Sequence, residues 1–175
     1  MKADSKRLND ITQSETSPTK GVLYSTDHFA PDERLGWLRE VIGREYANVE
    51  ITPPDQGVFN EMNIFSWDAL RLSVIRSNAI TLQRLPREPE LISQDAYFAV
   101  IHLSGRYRLQ QNGREVFLKP GDMTLYDATL PHHIWCPQPF SKLIVSIPRP
   151  LLRERIAGIN TIRHCLFQGS RGSAQ

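Results

Sequence analysis

The sequence predicts a mainly β domain, built as a two-sheet sandwich or barrel with one helix before it and one or two helices after it. Short runs of strand-forming residues fill the middle of the chain, and Gly, Pro, Asn and Asp separate them. Runs punctuated in this way are typical of antiparallel sheets, whereas a parallel sheet needs crossover helices between its strands. Nine strands are expected, at residues 59–65, 69–77, 79–84, 96–103, 106–110, 115–118, 123–126, 133–136 and 142–147.

Length and composition indicate one folded unit. The chain has 175 residues, of which 40% are hydrophobic, enough for a single core. Its net charge of +2 comes from 21 basic and 19 acidic side chains that are dispersed along the chain, so no basic surface for nucleic acid is predicted. No signal peptide or membrane-spanning run is present, and the two cysteines lack metal-binding spacing. We therefore expect a soluble, cytoplasmic protein with no membrane partner.

The two ends differ from the middle. Residues 1–25 are predicted to be a flexible tail, because Leu8 and Ile11 are the only sizeable apolar groups in its first twenty positions. An arm that folds over a ligand or partner is the alternative. Residues 160–175 are expected to be a linker-like or truncated segment.

A helix is predicted on each side of the strands. The first begins near Pro31, a residue favoured at the first helical position, and places Leu35, Leu38, Ile42 and Tyr46 along one face. A second helix is expected to begin at Pro150 and to close near Gly158.

Two turns are predicted between the strands. Asn112-Gly113 is a strong hairpin signal, because both residues tolerate the positive φ that a two-residue turn requires. Pro120-Gly121 fits the centre of a type II turn, in which proline fixes the first φ and glycine accepts the second.

The succession of strand, Pro120-Gly121-Asp122, strand, Pro131-His132 and strand resembles the second half of a cupin. That resemblance implies a double-sheet jelly-roll barrel enclosing one pocket. Metal-binding cupins carry two histidines and a glutamate before a glycine that corresponds to Gly105, and a last histidine after the proline-glycine corner. Only that last histidine is present, as His132. The other positions hold poor metal ligands. They are Phe98 in place of the glutamate, and Ile92, Ser93 and Gln94 around the two histidine positions.

A longer order of features resembles the N-terminal effector-binding domain of AraC/XylS-type bacterial transcription regulators. It includes the helix ERLGWLREVIG, the strand that begins at Leu70, and the segment PFSKLIVSIPRPLLRERI, in which a strand passes directly into a helix. The resemblance assigns residues 26–159 to such a domain. It implies a barrel that binds a small molecule, helices that mediate dimerisation, and a separate C-terminal pair of helix-turn-helix units that binds DNA. No recognition helix follows Gly158 in the sequence, so we expect DNA binding to need a C-terminal domain absent from this chain.

The resulting hypothesis is an effector-sensing and dimerisation domain with no catalytic activity, metal or cofactor. Its expected partners are an aromatic or carboxylated small molecule and a second copy of the chain. Two alternatives stay open. One is a small cupin enzyme, an isomerase or dioxygenase, and the other is a truncated interaction module that pairs with full-length relatives.

Three residues are the candidates for ligand binding. The cupin alternation turns His132 inward together with Ile134 and Cys136, although a core histidine bonded to a backbone carbonyl fits equally well. Tyr107 shares a strand face with Leu109, and a packing role is its alternative. Arg76 continues the alternating face of Leu70, Leu72 and Val74, so it is expected to bring a charge to the barrel mouth, with a structural ion pair or an exposed strand end as the alternatives. His102 and Trp67 are weaker candidates.

Overall fold

The structure is a computed structural model that describes residues 20–86, 94–155 and 165–167. Two α-helices, twelve strands and one 3-10 turn at Thr26–His28 lie in these ranges. The helices are α1 (Arg34–Glu45) and α2 (Arg149–Arg155). The strands are β1 (Val22–Ser25), β2 (Glu50–Thr52), β3 (Asn60–Trp67), β4 (Leu70–Ser77), β5 (Ile80–Arg84), β6 (Ala96–Ser104), β7 (Tyr107–Gln111), β8 (Arg114–Leu118), β9 (Met123–Asp127), β10 (His132–Cys136), β11 (Phe140–Pro148) and β12 (Cys165–Phe167).

The strands form two antiparallel sheets with one core between them. The larger sheet has the order β1-β3-β4-β11-β6-β9-β12, and the smaller has the order β2-β5-β10-β7-β8. The two sheets do not join into one hydrogen-bonded ring over the described ranges. Side chains that alternate inward from both sheets, together with α1, build a single large core. This arrangement confirms the predicted jelly-roll class.

All nine predicted strands are present, with bounds within two residues of those expected. Three short strands were not predicted. β1 pairs with β3 inside the stretch expected to be a tail, so that prediction is wrong for Val22–Ser25. β12 pairs with β9 inside the stretch expected to be a linker, which is likewise wrong for Cys165–Phe167. The rest of these two end segments, residues 1–19, 160–164 and 168–175, lies outside the described residues.

Both helices follow the apolar pattern of the sequence. α1 buries Leu38, Val41 and Ile42 in the core, and Tyr46 directly after it stands edge-on to Phe98 at a centroid distance of 6.0 Å. α2 follows β11 with no intervening residue and buries Leu152, while its predicted end near Gly158 is beyond the described part. Neither helix in the described ranges is long and apolar enough to cross a membrane.

The two predicted turns are confirmed by their backbone angles. Asn112 and Gly113 have φ values of 52° and 71°, as a two-residue hairpin between β7 and β8 requires. Gly121 has a φ of 93°, which suits the third position of a type II turn. The Asp122 carboxylate closes this turn by accepting a hydrogen bond from the Lys119 amide at 2.9 Å.

Candidate ligand-binding site

Strand β10 supplies one wall of the interior. His132, Ile134 and Cys136 are buried on it and alternate with the half-buried His133 and Trp135, so the predicted inward phase is confirmed. β10 is central in the smaller sheet, between β5 and β7, which fixes its inward side chains across from the larger sheet.

A cavity of about 50 Å³ lies within the core. Its wall is mostly apolar and has contributions from both sheets, from α1 and from the segment after α1. Among the described residues, no aspartate or glutamate lines it. The lining consists of Ile42, Tyr46, Ala47, Val49, Asn60, Met62, Ile75, Ile80, Leu82, Phe98, Tyr126, His132, Ile134, Phe140, Lys142 and Ile144.

His132 presents a defined face to this cavity. Its Nδ1 lies 2.9 Å from the carbonyl oxygen of Leu130, and because a carbonyl only accepts hydrogen bonds, Nδ1 carries the proton. Burial lowers the pKa of His132 to about 4, and the positive charges of Arg84 and Lys142 act in the same direction. The ring is therefore neutral at neutral pH, and its other nitrogen, Nε2, is a hydrogen-bond acceptor.

Lys142 lies on the cavity wall and is only 3% exposed. Its Nζ stands over the rings of Tyr107 and Phe140, at 5.0 and 5.5 Å from their centroids. Within the described ranges no carboxylate lies at ion-pair distance from it. Burial lowers the pKa of its ammonium group.

His102 lies beside Lys142 on the neighbouring strand. The two residues are directly paired between β6 and β11, and His102 is fully buried. Neither ring nitrogen makes a hydrogen bond of ordinary geometry in the part of the chain that the structure describes. Burial first, and then the charge of Lys142, lower the pKa of His102, against an opposing influence of the Gly105 backbone.

Tyr107 is buried next to this group rather than on the cavity wall. It is 2% exposed, lies 5.7 Å from the His102 ring, and its hydroxyl has no hydrogen-bond partner among the described residues. Burial raises the pKa of the Tyr107 phenol well above its ordinary value. The structure thus brings Tyr107 and Lys142 together, and Lys142 and His132 onto one cavity.

Arg76 is not at the barrel mouth, so the predicted inward phase of β4 is wrong. Its side chain is 66% exposed and lies 3.7 Å from Glu61 on the outer face, as the ion-pair alternative expected. The inward residues of β4 are instead Ser73, Ile75 and Ser77. Ser77 can turn inward here because its hydroxyl donates to the Phe59 carbonyl at 3.0 Å.

Comparison of the sequence with known families identifies the family of this chain. The AraC-binding-like domain family matches residues 38–172, more than half of the chain. The chain belongs to this family. The match continues past residue 159, where the domain was predicted to end, and includes β12.

Individual relatives of this AraC-binding-like domain are more distant. It is 32% identical over 158 residues to the transcriptional activator NphR of Rhodococcus sp, covering 89% of this chain and 47% of that protein. It is 24% identical over 150 residues to an uncharacterised protein in the nit 5' region of Bacillus sp. (strain OxB-1), covering 85% of this chain and 58% of that protein. The chain therefore spans about half the length of these curated relatives.

The fold is also found among solved structures. The crystal structure of the AraC-like transcriptional activator CuxR superposes with a TM-score of 0.65 at 17% identity, covering 78% of this chain and 50% of that one. At this identity the likeness shows a common fold and nothing further.

In this AraC-binding-like domain, the described residues at the positions of the cupin metal ligands make other contacts. Phe98 packs edge-on against Tyr126, and Gln94 donates to the Glu45 carbonyl at 2.6 Å. Ile92 and Ser93 lie outside the described residues. Where the chain is described, no three His, Cys, Asp or Glu residues are grouped so that they could hold a metal ion.

Sequence reasoning missed Lys142 as a site residue. Its signal was present, because Phe140, Lys142 and Ile144 alternate along β11 and the apolar pair marks the inward face. Trp67, a weaker candidate, is 46% exposed at the end of β3 and does not line the cavity.

Proposed function

We propose that this chain is the effector-sensing and dimerisation domain of an AraC-type bacterial transcription regulator that acts in the cytoplasm. A small organic molecule, the effector, binds between the two sheets without a metal, and the domain has no catalytic activity of its own. The observation that supports this proposal best is the apolar cavity with a few convergent polar groups, Lys142 and His132 among them. Pockets of this composition are typical of small-molecule sites.

The size of the cavity sets a condition on this function. About 50 Å³ is room for a few water molecules, whereas sites for drug-sized ligands measure roughly 300–1,000 Å³. An effector of more than a few heavy atoms must therefore push part of the wall outward. Ile42 near the end of α1 and the lining residues of the segment after it, Tyr46, Ala47 and Val49, form the part of the wall that lies outside both sheets, so we propose that this part moves.

The enzyme alternative has weaker support. Cys136, the buried thiol next to the site, is not an activated nucleophile, because burial raises its pKa to about 11. His132 is hydrogen-bonded to the Leu130 carbonyl through Nδ1, and in the part of the chain that the structure describes no acidic side chain lines the cavity beside it. General acid-base catalysis by a residue pair requires such a partner within hydrogen-bond reach.

The small cavity also favours a second candidate function, an interaction module that pairs with full-length relatives and binds no effector. A thermal-shift screen of small acids, alcohols and aromatic compounds separates the two. We expect at least one compound to stabilise the folded chain, by about 2.7 kcal/mol at a hundredfold excess over Kd. If no compound binds the wild-type chain, the sensing function is rejected in favour of the interaction module.

Two neighbouring substitutions on β4 locate the binding. Ile75→Phe adds volume on the cavity wall, whereas Val74→Phe adds the same ring on the outer face, where Val74 is 39% exposed. We expect Ile75→Phe to abolish the thermal shift of any compound found and Val74→Phe to leave it unchanged. A shift that survives both substitutions would place the compound elsewhere on the surface.

Dimerisation and DNA binding belong to the same proposal. α2 packs on the barrel through Leu152, next to Tyr97, while Leu151 is half-buried and available to a two-fold contact. We propose a homodimer that does not by itself bind DNA specifically, because the described surface has no recognition helix and the charge is nearly balanced. Sedimentation should show dimers at high concentration. Sequence-specific retardation of a promoter fragment by this chain at physiological salt would contradict the proposal that it does not bind DNA specifically by itself.

A further inference from the structure

The buried side chain of Lys142 lies on the cavity wall with no counter-ion among the described residues. We propose that the cavity recognises a small carboxylate whose anionic group pairs with Lys142 and which also carries a hydroxyl or N–H donor for His132. This inference rests on the proposed function and names the chemical class of the effector.

The first argument is the charge around Lys142. The groups that face it carry no negative charge at neutral pH: they are His102 on β6, His132 and Cys136 on β10, and Tyr107 on β7. An isolated charge in an apolar interior is costly, and an opposite charge offsets that cost.

The acidic groups nearest to this interior are already engaged. Asp127 accepts two hydrogen bonds from Arg149 Nη2, at 2.8 and 3.0 Å. Asp122 is held in the turn by the Lys119 amide. Neither lines the cavity. Among the described residues, the negative charge that Lys142 needs is therefore supplied by none of the side chains at the site, and a bound anion can supply it.

The second argument concerns the acceptors on the same wall. Nε2 of His132 accepts hydrogen bonds when the ring is neutral, and Oδ1 of Asn60 is buried with no partner among the described residues. Asn60 is 4% exposed and lines the cavity. A ligand that places a carboxylate at Lys142 and a donor at these acceptors satisfies three groups at once. Hydroxy acids have this combination in few atoms, which suits the small volume.

The experiment compares matched probes on the full 175-residue chain by calorimetry. Glycolate and glycolamide differ in charge, and glycolate and acetate differ in the hydroxyl donor. The pair 4-hydroxybenzoate and 4-hydroxybenzamide repeats the charge test at larger size. We expect at least one acid to bind tenfold or more tightly than its amide, because a charge-assisted hydrogen bond contributes about 1.5–3 kcal/mol. Acetate should bind more weakly than glycolate.

Two variants assign the effect to one side chain. Lys142→Met keeps the length and removes the charge, so it should bind an acid no better than the amide. Lys119→Met, at the exposed proline-glycine turn, should bind like the wild type. Because pairing raises the pKa of the Lys142 side chain, the wild type should also take up protons when an acid binds at a pH between the pKa values of the free and bound forms. Calorimetry at a series of alkaline pH values should show this uptake in the wild type and not in Lys142→Met. A purely structural role of Lys142 would not produce this uptake.

The outcomes separate this inference from the proposed function. Equal binding of acids and amides, or undiminished acid binding by Lys142→Met, overturns the inference. If neutral compounds alone bind, the anion inference is wrong while effector sensing stands. If no compound of either kind binds, both are wrong and the buried polar groups serve bound water only.

Discussion

Two groups of polar side chains within one small domain differ in how far their partners satisfy them. The first, the Arg149 cluster, joins Arg149 at the start of α2 to Asp95, Tyr97, Asp127 and Thr129. Arg149 donates to both carboxylate oxygens of Asp127, to the Tyr97 hydroxyl at 2.8 Å and to the Thr129 hydroxyl at 3.1 Å. Every charge in it has an opposite charge or a hydrogen bond.

The second group, the interior cluster, consists of Lys142, His102 and His132. It contains three nitrogen bases and no acid, and among the described residues only His132 Nδ1 has a hydrogen bond of ordinary geometry. The difference indicates that the first cluster stabilises the fold, and it supports our proposal that the second binds a ligand. Under that proposal, stability and binding depend on separate polar residues.

The largest loss of stability is expected in the Arg149 cluster, where the charges are paired. Arg149→Met leaves Asp127, 13% exposed, without its cation, and breaking a buried pair in this way costs about 3–5 kcal/mol. Urea unfolding should show this loss in the free energy of unfolding. A change below 1 kcal/mol would mean that the Arg149 cluster does not stabilise the fold.

Both the interior cluster and the Arg149 cluster should make the stability of the fold depend on pH, but over different pH ranges. The folded pKa of His132 is about 4 against an ordinary value of 6.5, so the unfolded chain binds a proton first as the pH falls. The stability that the neutral His132 ring contributes is fully present above pH 6.5, and it should fall by about 3 kcal/mol as the pH is lowered to 4. Burial alone would raise the pKa of Asp127, but hydrogen bonds from Arg149 and Thr129 hold it below 3.8, so its contribution is lost only in stronger acid.

Urea unfolding at a series of pH values tests this with two histidine variants. His132→Asn retains a donor for the Leu130 carbonyl and removes the titrating ring, so it should flatten most of the slope between pH 6.5 and 4. His28→Asn, at an exposed site, should leave the slope as it is in the wild type. Identical slopes in all three proteins would show that burial of His132 is not the cause.

Removing a positive charge from the interior cluster should not lower the free energy of unfolding as Arg149→Met does. Lys142→Met replaces an unpaired buried cation by an apolar side chain of similar length, which is neutral or stabilising by about 1–2 kcal/mol in the absence of ligand. Thermal and urea unfolding of the ligand-free chain measure it. A loss of several kcal/mol would reveal that Lys142 has a counter-charge within the fold, and the contrast with Arg149 would disappear.

The smallest effect is expected at the surface. Arg76→Met removes a cation that is 66% exposed and 3.7 Å from Glu61, and such pairs contribute between zero and about 1 kcal/mol. We expect a change in unfolding free energy below about 0.5 kcal/mol and no change in ligand binding. Weakened binding of a carboxylate in this variant would restore the sequence-based hypothesis that Arg76 contacts the effector.

The fold was more predictable from the sequence than the site, for a physical reason. Strand ends are marked locally: Asn112-Gly113 and Pro120-Gly121 fix backbone angles regardless of their surroundings. The short strands β1, β2 and β12 have three or four residues each and carry too few alternations to be recognised. Their pairing depends on neighbours distant in sequence.

The candidate site depended on which face of each strand turns inward. β10 was assigned correctly because its histidine follows a recognisable turn. β4 was assigned to the wrong face, because Leu72 and Val74 lie outside while Ser73 and Ser77 lie inside. Lys142 was missed because hydrophobicity gives no reason to place a lysine in a core. The alternation along β11 indicates that this residue turns inward, but its surroundings are known only from the neighbours on both adjacent strands.

The wall of the cavity and the first residue of α2 are joined by an unbroken series of hydrogen bonds. His132 donates to the Leu130 carbonyl, which also accepts from Gln111 Nε2 at 3.4 Å. The same Gln111 side chain donates to the Asp127 carbonyl at 2.8 Å and accepts from the Asp127 amide at 3.1 Å, and the Asp127 carboxylate holds Arg149. Under the proposed function, we expect a ligand that turns the His132 ring to act through these bonds on the segment that contacts Arg149 of α2. Such linkage is reciprocal in free energy, so we expect any partner that holds α2 in one orientation to change the affinity of the cavity by the same factor.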